Sequence, residues 1–372
     1  MKICLINHCL DNGGTDTFVV NAAKGLKKRG NDVTVIMAVD DDGIKHFREQ
    51  EALDAGVKVL RTCDLNGIKK KLLHCKKLYH ILKRERYDVV HSNMDLFNGV
   101  NLMVTWLAKI PVRVCHSHNS MSQYEVKTGK HITASVYRFI MRKCCWRFSN
   151  RRCGCSELAM DYLFKNRWKT DKKSKVIYNG INIKQYCNLI NLDDKKKEIG
   201  ASLNNKTVAV VGRLSEQKNP RFIVEVIREL AKIRNDFELV WVGTGELQKE
   251  IQRLIIEDDT YQYIHMLGRR DDVNEILQCS DAFFMPSKFE GLPFALVEAQ
   301  AAGLTCLVSD AISPMSDCGG CVFMPLRNSA DEWARKLSDI LDGKEKKTID
   351  KDKIKRFDVN FMIQQLEEIY EQ

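Results

Sequence analysis

At 372 residues the chain is too long for one typical core, and two domains are expected. Its 44% hydrophobic and 29% charged residues mark an ordinary globular protein, and no apolar run reaches the roughly eighteen residues of a membrane span. The net charge of +10 is uneven: residues 1–178 carry 33 Lys and Arg against 17 Asp and Glu, and residues 179–372 carry 26 against 32, so the first half suits phosphates or an anionic membrane surface.

Met1-Lys2-Ile3-Cys4-Leu5-Ile6 runs straight into a strand without a signal-peptide pattern, and the cytoplasm is the expected location. Residues 2 to 8 read as that strand, followed by the glycine turn Asp11-Asn12-Gly13-Gly14-Thr15-Asp16-Thr17, a helix from Phe18 to Arg29 ended by Gly30, and a strand from Asp32 to Met37. This β-loop-α-β opening belongs to a doubly wound sheet. Gly13-Gly14 lacks the spacing of a dinucleotide fingerprint, so a nicotinamide enzyme has weak support.

The alternation continues through Val57 to Leu60, a basic helix from Ile68 to Arg84, a strand from Tyr87 to His91, a helix from Asn98 to Lys109 and a strand from Val112 to His116. His118 lies in the loop after that strand, where an imidazole can serve chemistry or simply be hydrogen-bonded in the interior. His91, ending the neighbouring strand, favours a site. Residues 133 to 152 mix Tyr137, Phe139, Ile140, Trp146 and Phe148 with Arg138, Arg142, Lys143, Arg147, Arg151 and Arg152. Two readings stand: a membrane-surface helix, or a core-facing helix with a solvated cationic side.

A boundary is expected near Ile177-Tyr178-Asn179-Gly180-Ile181, giving domains at 1–180 and 181–357, with a last helix at about 358–372 packed back on the first. The second domain repeats the pattern: strand 207 to 211, helix from Pro220, strand 239 to 242, helix from Glu246, strand 263 to 266, helix from Asp271, strand 282 to 285, helix from Pro293 and strand 305 to 308. Its opening loop, Gly212-Arg213-Leu214-Ser215-Glu216-Gln217-Lys218-Asn219-Pro220, places two cations beside a helix start and suits a phosphate. In Glu290-Gly291-Leu292-Pro293-Phe294, proline is expected at the first helical position, with Phe294, Val297 and Ala301 buried and Glu298 on the same inward stripe. A carboxylate there needs a bonding partner, whether a polar ligand or a cation from elsewhere in the fold.

Of 14 cysteines many lie in apolar runs, such as Cys4, Cys115 and Cys306, as reduced core thiols do, and no structural disulfide is expected. Cys144-Cys145 with Cys153 and Cys155 lacks zinc-ribbon spacing, and Cys318-Gly319-Gly320-Cys321 lacks a partner pair. No metal site is expected.

Together Gly13-Gly14, His116-Ser117-His118-Asn119, Gly154-Cys155-Ser156-Glu157, Ile177 to Ile181, Gly212-Arg213 with Lys218-Asn219-Pro220, Gly243-Thr244-Gly245 and the Glu290/Glu298 pair resemble the retaining glycosyltransferases of family 4, over nearly the whole chain. The run from His116 to Ser120 looks most like bacterial enzymes of capsule or exopolysaccharide assembly. The resemblance implies the GT-B fold, two Rossmann-like doubly wound α/β domains facing across a cleft. It implies transfer, with retention, from a nucleotide-sugar donor, expected to be a UDP-sugar, to a lipid-linked glycan such as an undecaprenyl-diphosphate-linked acceptor.

By the resemblance Arg213 and Lys218 hold the donor diphosphate, Glu298 the ribose, and Glu290 with the amides of Gly291, Leu292, Pro293 and Phe294 the transferred sugar, although Pro293 itself has no amide hydrogen. His118 lies by the reacting centre, Gly13, Gly14 and Gly212 admit the phosphates, and Arg269, after Gly268, edges the base. Asp16 stands where Glu is usual, and Tyr178 where Pro is common before Asn-Gly. Since Arg213, Lys218 and helix-end amides can stabilise a departing diphosphate, transfer without metal or other cofactor is expected. The Asp-x-Asp pairs at Asp40 to Asp42 and Asp350 to Asp352 are far in sequence from the donor motifs. Peripheral attachment to an anionic membrane is a further expectation, nucleic acid is not an expected partner, and the alternative is a catalytically silent subunit that binds nucleotide sugars.

Overall fold

The computed structural model describes residues 1–11, 13–119, 132–290 and 292–372. The chain forms two compact units, Met1–Gly180 with Val359–Gln372, and Ile181–Asp358.

The first unit holds seven strands: β1 Lys2–Asn7, β2 Asp32–Met37, β3 Lys58–Arg61, β4 Val89–Ser92, β5 Val112–Ser117, β6 Arg151–Gly154 and β7 Ser174–Val176. They form one parallel sheet in the order β3-β2-β1-β4-β5-β6-β7. Central strands of such a sheet are covered on both faces by crossover helices, which is why β1 and β2 are largely apolar and β4, Val-Val-His-Ser, is buried throughout. The helix Val359–Glu371 returns to this unit, where a Cβ on Gly25 would stand 2.5 Å from Ile363 Cγ1. Arg29 pairs with Glu367 at 2.7 Å.

The second unit holds β8 Lys206–Val211, β9 Phe237–Val242, β10 Ile264–Gly268, β11 Ala282–Met285, β12 Thr305–Ser309 and β13 Cys321–Met324, parallel in the order β10-β9-β8-β11-β12-β13. Its core on one face gathers Trp241, Phe284 and Trp333 around the apolar stripe of the helix Pro220–Ala231. The aligned series of β, α and loop makes both units Rossmann-like.

Several expectations need correction. The helix expected from Pro293 begins at Phe294, with Pro293 at the capping position in extended geometry. The buried stripe of that helix is not the expected one: Leu296, Val297, Ala299 and Gln300 form its buried face, and Phe294, Glu298 and Ala301 are only partly covered. The helix expected across 133 to 152 runs Ile132–Phe148, and Arg151 and Arg152 lie buried in β6. They cannot join a cationic helix face, because Arg151 Nε donates to the Ile369 carbonyl at 3.0 Å and Arg152 pairs with Asp171 at 2.8 Å. All fourteen cysteines are unpaired thiols.

Candidate functional site

In a doubly wound sheet ligands bind beyond the carboxyl ends of the strands where strand order reverses, because neighbouring loops part there. In the second unit that point lies between β8 and β11. The loop after β8 forms a single turn, Glu216–Lys218, then Asn219 with a left-handed φ of 57°, then Pro220 as the first residue of the next helix. Proline suits that position because its missing N–H would be unpaired there anyway. Asn219 holds the cap position without a side-chain capping bond.

Two glycines set the path of this loop. Gly243, with φ of 139°, approaches so closely that a Cβ would lie 2.0 Å from the Gly212 carbonyl oxygen. Gly212 carries the Lys218 side chain across it, with a Cβ position 3.0 Å from Lys218 Cε. The Gly243-Thr244-Gly245 turn thereby acts as a floor for Gly212 to Leu214, whose Leu214 N–H donates to the Thr244 carbonyl at 3.2 Å.

The loop after β11 is bonded to this one. The Lys288 N–H donates to the Gln217 carbonyl at 2.8 Å, and Gln217 Nε2 returns a bond to the Phe289 carbonyl at 3.1 Å. Lys218 Nζ stands 2.6 Å from Glu290 Oε1 with both side chains largely buried. The cation and carboxylate expected at the diphosphate and the sugar therefore meet at the reversal point. Glu290 also bridges by its backbone to Ile312, and Ser309 Oγ donates to the Ser287 carbonyl at 2.5 Å, so a third loop fixes the carboxylate's position.

Arg213 is exposed on the same loop, and Arg269 is exposed with Nε donating to Thr244 Oγ1 at 3.2 Å. Leu292 is buried, and Glu298 is half-buried one turn into the helix Phe294–Ala301. Gly291 lies outside the described residues.

Gln217 and Gln300 were not among the expected residues. Gln300, 1% exposed, donates to the Leu296 and Ser316 carbonyls at 3.1 and 2.8 Å and accepts from the Cys318 and Gly320 amides at 2.6 and 3.3 Å. It is the buried polar anchor of the helix bearing Glu298, and an uncharged polar residue set among alanines was its only signal.

In the first unit the order reverses between β1 and β4. Gly13 caps the helix Gly14–Lys28, its N–H donating to Asp16 Oδ2 at 3.1 Å, while Asp16 Oδ1 accepts from Asn7 Nδ2 at 2.8 Å. Burial raises the Asp16 carboxyl above its usual range. Gly14 opens that helix.

Around β4 and β5 the histidines form one buried group. Tyr370 Oη lies 2.7 Å from His91 Nδ1, His91 Nε2 lies 2.9 Å from His116 Nδ1, and the His116 ring stacks on His118 at 4.3 Å. Phe18 meets His116 and His118 at 4.6 and 4.9 Å. Burial depresses His91 and His118 to about 3 and holds His116 well below the usual imidazole range, with neighbouring imidazoles adding to the effect on His91 and His116. These rings are neutral at physiological pH.

Among the described residues Cys9, Asp11 and His46 lie close enough to share a metal, but His46 Nδ1 and Asp11 already pair at 3.2 Å, and burial with Asp16 and Asp11 pushes the Cys9 thiol up to about 12. Of the two Asp-x-Asp pairs, Asp40 pairs with Lys70 at 2.7 Å and Asp350 caps the short helix Lys351–Lys355.

Residues 12–185 match the family model described as Glycosyltransferase Family 4, and residues 192–355 match that described as Glycosyl transferases group 1. The chain is 29% identical over 267 residues to an Escherichia coli UDP-Gal:alpha-D-GlcNAc-diphosphoundecaprenol alpha-1,3-galactosyltransferase, covering 71% of this chain and 66% of that one. It is 28% identical to the capsular polysaccharide biosynthesis glycosyltransferase CapH of Staphylococcus aureus, covering 79% of each chain. Its fold is shared with Anabaena Alr3699/HepE, solved in complex with UDP and glucose, at a TM-score of 0.81 and 20% identity over 100% of both chains.

Proposed function

Because the chain belongs to the family 4-type glycosyltransferases of GT-B fold, we propose that it moves a sugar, with retention, from a UDP-sugar to a lipid-linked glycan in cell-surface polysaccharide assembly. The observation that carries this reading is the meeting of Lys218 and Glu290 at the strand-order reversal of the second unit. A ligand pairing a diphosphate with a sugar satisfies both groups: the ammonium turns to phosphate oxygens, and the carboxylate accepts from sugar hydroxyls. Arg213 adds a second cation from the same loop, and Glu298 takes the ribose hydroxyls.

Departure of the nucleoside diphosphate builds negative charge, and Arg213 with Lys218 stabilises it without a divalent ion. His118, neutral, acts on a ligand of the first unit as a hydrogen-bonding group and supplies no positive charge. The lipid-linked acceptor follows from what the E. coli relative's name says it uses. Attachment to an anionic membrane rests on the helix Ile132–Phe148, which exposes Val136, Tyr137, Phe139 and Ile140 beside its arginines and lysine. No helix among the described residues is long and apolar enough to cross a membrane.

The test is nucleoside diphosphate release from a panel of nucleotide sugars, with chelator present and absent. Wild-type protein should turn over at least one donor in both conditions, and Lys218→Ala and Glu298→Ala should each lose most of that rate. Wild-type rates in both variants would refute the site, and strict dependence on Mn²⁺ would refute metal independence.

A further inference from the structure

The ring nitrogens of His118 are not equivalent, and the difference is set by Asn93, the residue after β4. Asn93 Nδ2 donates to the Ile6 and His91 carbonyls, each at 3.3 Å, which fixes the amide so that Oδ1 faces His118 Nε2 at 3.0 Å. An amide oxygen can only accept, so Nε2 of His118 must carry the proton. Nδ1 then holds a lone pair, and among the described residues this buried nitrogen has no hydrogen-bond partner, in a side chain that is 9% exposed. Buried polar atoms left without a partner are uncommon in folded proteins and point to a missing ligand or water.

We propose that Asn93 is a positioning residue that locks His118 in the Nε2-protonated tautomer, so that His118 meets its ligand through Nδ1 as a hydrogen-bond acceptor for a hydroxyl. The class of ligand that His118 meets rests on the glycosyltransferase reading; the tautomer does not. The surroundings agree. His116 stacks on the ring, Phe18 meets it at a tilt of 59°, and Asp95 Oδ1 accepts the His118 backbone N–H at 2.8 Å, so the main chain is held as firmly as the ring. Cys155 Sγ donates to the His118 carbonyl at 3.4 Å. The titratable groups around the ring are therefore His116, His91 beyond it with Tyr370, Asp95 and Cys155. Burial keeps the histidines and Tyr370 neutral, raises the Asp95 carboxyl above its usual range and pushes the Cys155 thiol up to about 12. Acceptance through Nδ1 needs the neutral ring, which the low pKa of His118 supplies.

Nitrogen-15 NMR of histidine-labelled full-length protein reads the tautomer directly, with the His118 signals assigned by their loss in His118→Asn. Wild-type His118 should show a protonated Nε2 and an unprotonated Nδ1 from pH 7.5 down to pH 5. Asn93→Asp keeps the shape and replaces the amide oxygen by a carboxylate, which should raise the His118 pKa by about 2 units and add a new acidic limb to the rate of nucleoside diphosphate release. Asn93→Ala removes the lock and should give averaged nitrogen shifts. A protonated Nδ1 in the wild type overturns the proposal whether or not the variants fold, and so does an Asn93→Asp protein whose His118 titrates as the wild type does. If the wild type turns over no nucleotide sugar but shows the expected tautomer, the glycosyltransferase reading fails and the Asn93 lock stands.

Discussion

Lys218→Ala should destabilise the protein before it is asked to do any chemistry. The Lys218–Glu290 pair spans 2.6 Å, and the side chains are 19% and 8% exposed. Removing the lysine leaves a mostly buried carboxylate without its cation, which costs about 3–5 kcal/mol in a fully dry site. Solvent reaches the lysine end, so the lower limit applies, about 3 kcal/mol. For a unit of this size about 2–4 °C is lost per kcal/mol, giving a fall in Tm of about 6–12 °C by calorimetry. The double variant Lys218→Met with Glu290→Gln removes both charges at nearly constant volume and should recover most of that loss while remaining inactive. A single variant within about 1 °C of wild type, or a double variant as unstable as the sum of its parts, would show that the pair is not a coupled element of the site.

Four other outcomes are expected. Gly243→Ala puts a Cβ 2.0 Å from the Gly212 carbonyl oxygen at a φ of 139°, and should leave little soluble protein on expression. Gln300→Leu strips partners from two carbonyls and two amides at a buried position, and should lower the urea midpoint by an amount equal to about 2–4 kcal/mol. Stability should fall on acidification from pH 6.5 toward pH 3: His91, His116 and His118 have folded pKa values below the unfolded value, so the unfolded chain binds more protons throughout that window. Each histidine contributes up to about 1.4 kcal/mol per pH unit, and urea melts at pH 7 and pH 5 should show the slope, flattened in His116→Leu. Phe139→Glu with Ile140→Glu should abolish flotation with anionic vesicles, and unchanged flotation would remove the helix Ile132–Phe148 from the membrane proposal.

The fold was legible because both sheets are built from short apolar runs, each followed by an amphipathic helix, and that period survives in the sequence without any knowledge of contacts. What stayed hidden was the part that depends on tertiary partners. Arg151 and Arg152 look solvated in sequence and are buried because the Ile369 carbonyl and Asp171 meet them from distant segments. Strand β6 was missed for the same reason, since Arg151-Arg152-Cys153-Gly154 carries no apolar run to mark it. Glu290 and Lys218 were singled out one by one from helix-start chemistry, but their separation of 2.6 Å is set by three loops, including the distant Ile312 bridge. Gln300 and Asn93 gave almost no signal, since an amide side chain looks the same in sequence whether it faces solvent or orders a buried network.

The central claim is that the second unit binds a nucleotide sugar through Lys218, Glu290 and Glu298. Calorimetric titration of the full chain with a panel of nucleotide sugars tests it most directly. The account predicts saturable binding of at least one donor that is weakened at least tenfold by Glu298→Ala, while Glu290→Gln keeps most of the affinity and slows sugar transfer. Binding of no nucleotide sugar by the folded wild type, or equal affinity in wild type and Glu298→Ala, would contradict it.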